Sequence, residues 1–305
     1  MISTSSPAPS QKKLWMAAIK PPMYSVAVIP IAVGTAFAYN QSHQFQGQIF
    51  SIFLFSAIAI IAWLNLSNDV FDADTGIDQN KAHSVVNLTG NKSLIFVLSN
   101  LFLLAGLLGI VAISWLQQDS TVILLILLDC LLGYSYQGPP FRLGYQGLGE
   151  VICFITFGPM AIAAVDYSQN QAFHWTSLTV ATLVGISTSI ILFCSHFHQV
   201  ADDLAAGKRS PIVRLGTARG SQILTISTIS FYLLAIGFIL TGLAPWQTGL
   251  VFISLPLAWQ LVRHVQQYHD QPNLVNNCKF LAVNFHFVSG MLLALGYLLA
   301  GLPNA

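Results

Sequence analysis

Nine apolar runs decide what this chain can fold into. They fall at about residues 23–40, 49–68, 93–115, 121–137, 148–166, 176–197, 221–243, 247–263 and 279–300. A membrane-spanning helix needs roughly 20 apolar residues. Only 8% of the residues are charged and 54% are hydrophobic, with a mean hydropathy of +0.67, whereas soluble domains carry about 25% charged residues. The expectation is an all-α polytopic membrane protein with about nine transmembrane helices. Residues 1–14, rich in Ser and Pro and containing Lys12 and Lys13, read as a disordered tail, and residues 15–305 as a single transmembrane domain. No small-residue cleavage site follows the first apolar run, so no signal peptide is expected. Cys130, Cys153, Cys194 and Cys278 show no metal or disulfide spacing and read as buried thiols.

The basic residues orient the bundle. All 12 Lys and Arg fall before the first span or in alternate links: Lys81 and Lys92, Arg142, then Lys208, Arg209, Arg214 and Arg219, then Arg263 and Lys279. The remaining exposed segments carry none. The positive-inside rule then places the N-terminus and the four longer links in the cytoplasm and the C-terminus on the other side, which requires an odd number of spans. The outer links are short and carry no motif.

Acidic residues are scarce, 11 in 305, and Asp69, Asp72, Asp74 and Asp78 stand together where the second span ends. Asn68 and Asp72 are four apart and share a face if the helix continues. Gathered side-chain oxygens suit a hard cation, and Mg²⁺ is commonly held by one or two carboxylates plus substrate phosphates. A calcium loop fails on spacing, because Gly76 and His83 fall where acidic ligands are needed.

A second constellation follows the sixth span: His196, His198, Gln199, Asp202 and Asp203, then Lys208 and Arg209. Gln199 and Asp203 repeat the spacing of Asn68 and Asp72. The segments Lys81–Leu88 and Lys208–Leu215 echo one another weakly and suggest two similar half-sites. Two acidic faces over one cavity repel unless cations lie between them. A diphosphate would complete the coordination, with Lys81, Arg142, Lys208, Arg209 and Arg214 neutralising its oxygens. The apolar bundle beneath suits a long hydrocarbon tail.

Several residues admit two readings. His196 and His198 are either polar residues at a helix end or part of the site; two apart, they diverge and do not suit zinc. Tyr134, Tyr136 and Phe141 around Gly138-Pro139-Pro140 are either an interfacial aromatic belt or a wall facing a carbocation. Asp129 interrupts a span at a cost of roughly 2.5–3.5 kcal/mol on insertion scales, and is read as facing polar groups of a neighbouring helix or held neutral. Glu150, at the start of span five, is placed to orient a basic residue or an aromatic substrate.

Asn68-Asp69-x-x-Asp72 with Asp78, then Asp203-(x)3-Gly207-Lys208 and Val213-Arg214-Leu215-Gly216, resembles the UbiA superfamily of intramembrane aromatic prenyltransferases. Tyr134-x-Tyr136-x-Gly138-Pro139-Pro140 and Gly147-x-Gly149-Glu150 resemble its MenA branch, which prenylates 1,4-dihydroxy-2-naphthoate. Ser195-His-Phe-His-Gln-Val-x-x-Asp203 and Ser210–Gly216 look like the phototroph members of that branch. The resemblance spans about Trp15 to Gly301. It implies a UbiA-type bundle with its site at the cytoplasmic face of a plasma or thylakoid membrane. Phytyl diphosphate would be the donor, the naphthoate or its 2-carboxy-1,4-naphthoquinone form the acceptor, and Mg²⁺ the cofactor. It further implies Asp72, Asp203, Asp78 and Tyr136 as catalytic residues and Asn68, Asp72, Asp203, Asp202 and Gln199 as metal ligands. One departure stands out: the family's second motif has Asp four before Asp203, and here that place is Gln199. Either Asp202 substitutes, or diphosphate holds the second ion. No nucleic acid and no obligate protein partner is expected besides the lipid bilayer. A related enzyme using homogentisate, 4-hydroxybenzoate or a solanesyl tail is the runner-up; a transporter would need more ionisable groups at the midplane than Asp129.

Overall fold

The computed structural model describes residues 12, 15–16, 21–77 and 84–303. The expected tail, residues 1–14, lies outside the described residues except for Lys12. Among the described residues the chain is helical, with no strand.

Seven helices are long and apolar enough to cross a membrane: Pro21–Ser42, Gly47–Thr75, Lys92–Gln117, Gly149–Asn170, Ser177–Ser195, Thr217–Leu240 and Pro272–Gly301. The other two expected spans take other forms. Thr121–Gln137 is apolar but only 17 residues long. The segment expected at 247–263 begins as a 3-10 helix, Trp246–Ser254, and becomes α-helical only at Leu255, next to Pro256. Proline suits the first turn of an α-helix because it has no N–H to lose there. Seven spans are therefore clear, and the expected nine include two segments of different character.

Small residues let helices approach closely. A Cβ added at Gly106 of Lys92–Gln117 would lie 2.8 Å from Ile60 Cγ1 and 3.0 Å from the Ser56 carbonyl oxygen of Gly47–Thr75. With lipid on both sides no solvent drives helices together, and backbone proximity of this kind supplies the packing. The interior is filled by Ile29, Phe37, Ile191, Phe231, Phe285 and Tyr297, all fully buried. Leu108, Trp115, Leu131 and Leu240 are exposed on the outside, where acyl chains rather than water are their neighbours.

The two ends of the bundle differ. At the end remote from the two acidic clusters the links are hydrogen-bonded to one another. His43 Nδ1 lies 2.8 Å from the Gly301 carbonyl, Gln46 N donates to Gln169 Oε1 at 3.0 Å, and Tyr167 Oη donates to Asp119 Oδ2 at 2.9 Å. Hydrogen bonds from Thr121, and then from Tyr167, hold the Asp119 carboxyl below its ordinary range. At the other end the helices part around a cavity. Gly149–Asn170 is interrupted by a widened π-turn, Thr156–Met160, which contains Pro159. Proline removes one helical donor, and a π-turn absorbs the mismatch.

Candidate active site

A cavity of ≈ 270 Å³ lies within the bundle. Its walls are apolar through Val26, Ile31, Ile60 and Ile191, and its polar residues include Asn68, Asp72, Gln137, Gln199, Lys208 and Lys279.

The first cluster sits on a helix that does not stop when its apolar run ends. Gly47–Thr75 continues through Asp72 and ends at Gly76, which takes the left-handed conformation at φ 74°. Asn68 and Asp72 thus share a face, and both line the cavity. Asp72 Oδ1 accepts hydrogen bonds from Gln137 Nε2 and, at 3.3 Å, from Tyr145 Oη. Asp69 has a tethering role: it is 1% exposed, and its Oδ2 accepts from Val85 N at 2.8 Å, fixing the short helix Val85–Thr89. Asp74 pairs with Lys92. Asp78 and Lys81 lie outside the described residues.

The second cluster is buried. Ser177–Ser195 gives way to the short helix Val200–Ala205, which carries Asp203 inward to full burial. Asp203 Oδ2 is 3.2 Å from His196 Nδ1, and Oδ1 is 3.5 Å from Lys208 Nζ. On its other side, His196 Nε2 is 3.4 Å from Glu150 Oε1. Burial works against the Asp203 charge, but the His196 hydrogen bond and the Lys208 ammonium outweigh it, and the carboxyl stays below its usual range. Lys208 is 6% exposed, lines the cavity and stands 5.8 Å from the Tyr145 ring centroid.

The loop after Thr121–Gln137 joins the two clusters. Tyr145 Oη lies 2.6 Å from Thr75 Oγ1, while the Tyr145 carbonyl accepts from Arg209 N at 2.8 Å. Gly147 adopts φ +80°, and a Cβ there would come within 2.7 Å of the Arg209 carbonyl. Burial, and then the charge of Asp72, push the Tyr145 phenol well up.

The structure thus brings Asn68, Asp72, Tyr136, Gln199 and Lys208 to one cavity. Asp203 stands behind Lys208. Asp202 is partly buried and, among the described residues, does not line the cavity. Arg142, Arg209 and Arg214 do not line it either. The Arg214 guanidinium instead donates to the backbone carbonyls of Arg209, at 3.0 Å, and Gln146, at 2.7 Å. His196 lies between Asp203 and Glu150. Of the three aromatic residues, Tyr136 faces the cavity. Tyr134 donates to the Pro139 carbonyl, and Phe141 is 52% exposed. Gln137, Tyr145 and Lys279 were not foreseen as site residues. Lys279 carried a signal, being the only cation at the start of the last span.

Among the described residues no group of three His, Cys, Asp or Glu side chains is arranged to hold a metal ion by itself. The cavity donors of the two motifs are oxygens, from Asn68, Asp72 and Gln199, and the buried Asp203 Oδ1 accepts no hydrogen bond. Sparse oxygen donors fit a hard divalent cation that completes its shell with substrate phosphate.

Residues 27–296 match the sequence pattern of the UbiA prenyltransferase family. The chain belongs to that family. Among UbiA proteins it is 67% identical over 297 residues to the 2-carboxy-1,4-naphthoquinone phytyltransferase of Synechocystis, covering 97% of both chains. It is 42% identical to the chloroplastic 2-carboxy-1,4-naphthoquinone phytyltransferase of Arabidopsis thaliana, covering 96% of this chain and 78% of that one. Its fold is similar to that of a UbiA homologue from Archaeoglobus fulgidus bound to DMAPP and Mg²⁺, with a TM-score of 0.57 at 15% identity, covering 92% of this chain and 98% of that one. The fold expectation is met: this is an integral membrane protein with a UbiA-type helical bundle.

Proposed function

We propose that this UbiA enzyme transfers a phytyl group from phytyl diphosphate to 1,4-dihydroxy-2-naphthoate or its 2-carboxy-1,4-naphthoquinone form, with decarboxylation, to give the phylloquinone precursor. One observation carries the reading. Asn68 and Asp72 from the end of the second span, and Lys208 from beyond the sixth, line one apolar cavity. The similarity to the Synechocystis and Arabidopsis phytyltransferases supports the choice of donor and acceptor.

Asn68 and Asp72 would hold Mg²⁺, with Gln199 and Asp203 as the second set of oxygens. The ion, when bound, supplies positive charge against the departing diphosphate. Lys208 and Lys279 bind the diphosphate oxygens from the cavity wall and add to that stabilisation, the large electrostatic contribution in such reactions. Gln137 and Tyr145 fix the Asp72 carboxylate. The bond between the prenyl C1 and its oxygen breaks with the electron pair leaving on diphosphate. The ring face of Tyr136, which lies in the electrostatic field of Glu150, Asp72 and Asp203, stabilises the allylic cation. The ring carbon bearing the carboxylate attacks C1. Carbon dioxide then departs, and its bonding pair returns to the ring. Water must be kept out while the cation lives; the short helices Val85–Thr89, tied to Asp69, and Val200–Ala205, which carries Asp203, would serve that purpose. Residues 15–305 act as one transmembrane unit, with the N-terminus and the site on the cytoplasmic side of a plasma or thylakoid membrane.

In membranes supplied with both substrates, Asp72→Ala abolishes transfer, and a chelator does the same to the wild type. Retained activity in the variant would remove Asp72 from the site. Mass spectrometry of products formed from phytyl, geranylgeranyl and solanesyl diphosphates with a panel of ring acceptors identifies both substrates.

A further inference from the structure

Two polar side chains line the cavity away from its diphosphate end without partners. Asp129 and Asn65 are both part of the wall. Asp129 Oδ1 and Asn65 Nδ2 are buried, and among the described residues neither has a hydrogen-bond partner. Among the described residues no polar group of a neighbouring helix hydrogen-bonds Asp129 Oδ1. Asp129 is eight residues before Gln137, and Asn65 is seven before Asp72. At 1.5 Å per residue, each lies ~10–12 Å along its helix from the contact between Asp72 and Gln137. Buried polar groups are expensive to leave unmatched, and a prenyl tail has no polar atom to match them. The other occupant of the cavity, the ring, does.

The face of Thr121–Gln137 that carries Asp129 is turned to the cavity. Asp129, Gly133 and Gln137 are spaced by four, and all three line the cavity, so they fall on one side of the helix. Gly133, between the two polar side chains, adds no side chain of its own there and packs against Leu64, whose Cδ2 would lie 3.0 Å from a Cβ at that position.

We propose that Asn65 and Asp129 form the acceptor subsite and set its specificity for an aromatic ring with oxygen substituents in para positions. The Asn65 amide donates to one ring oxygen, and the Asp129 carboxyl hydrogen-bonds the other. This rests on the reading above that the acceptor is such a ring.

The test uses the full-length protein in lipid nanodiscs and the variants Asp129→Leu, Asp129→Asn and Asn65→Leu. Dissociation constants are measured for 1,4-dihydroxy-2-naphthoate alone and for phytyl diphosphate with Mg²⁺ alone, followed by KM for each substrate. Loss of one hydrogen bond to the acceptor raises its Kd and KM about tenfold in each Leu variant. Asp129→Asn recovers part of that loss, and the constants for phytyl diphosphate stay within about twofold. Unchanged acceptor constants would overturn the proposal, as would a change confined to phytyl diphosphate or to tail-length preference. Unchanged diphosphate binding reports an intact fold; if Asp129→Leu fails that check, Asn65→Leu decides. A wild type that prenylates no aromatic acceptor would instead overturn the underlying reading.

Discussion

Lys208 is buried, and the nearest carboxylate oxygen to its ammonium is Asp203 Oδ1, at 3.5 Å. Removing one partner of a buried ion pair leaves the other uncompensated, typically at about 3–5 kcal/mol. Asp203→Asn should therefore reduce transfer far more than Asp202→Asn, whose side chain does not reach the cavity wall. Initial rates measured on equal amounts of folded protein decide it, and equal losses would mean that the two aspartates share the work. Tyr145→Phe keeps the ring near Lys208 and the backbone contact to Arg209, but loses the hydroxyl that meets Thr75 and Asp72. We expect kcat/KM for phytyl diphosphate to fall about tenfold, on the order of one hydrogen bond to a charged group. Much of this was legible beforehand. Asn68 and Asp72 announced themselves because carboxylates are rare in such a chain, and Lys208 because cations are. Tyr145 did not, because nothing in its neighbours tells a loop tyrosine that clasps an aspartate from one that faces lipid headgroups. Arg214 differs: a charge near the motif reads as a phosphate ligand, and here its guanidinium donates to the carbonyls of Arg209 and Gln146.

The helices were easier to foresee than their irregularities. Apolar length located the seven clear spans, but it did not locate the π-turn at Thr156–Met160, which contains Pro159, or the 3-10 segment Trp246–Ser254 that precedes Pro256. The weak echo between the two loops proved structural in part. Val85–Thr89 and Pro211–Leu215 are both five-residue helices, each followed by a glycine at positive φ, Gly90 and Gly216. Helix contact makes its own prediction. Gly106→Val would force Lys92–Gln117 away from the Ser56 carbonyl, and overpacking of this kind costs about 1–3 kcal/mol. A lower melting temperature in detergent, with little change in KM of the surviving protein, is the expected result. An unchanged melting temperature would show that the two helices have slack.

At the scale of the molecule, charge placement decides orientation. With every Lys and Arg at the N-terminus or in alternate links, single cysteines introduced at Lys92 and Arg209 should react with an impermeant thiol reagent from the cytoplasmic side only. One at Gln171 should react from the opposite side only. Reversed labelling would invert the topology while leaving the site chemistry intact. The hydrogen bonds that bind Gln46 to Gln169, Tyr167 to Asp119 and His43 to Gly301 have a consequence for traffic. A bundle tied together at its floor opposes the passage of oil downwards and favours a sideways exit between helices for a freshly joined quinone. The enzyme would then release its product already dissolved in the membrane's interior.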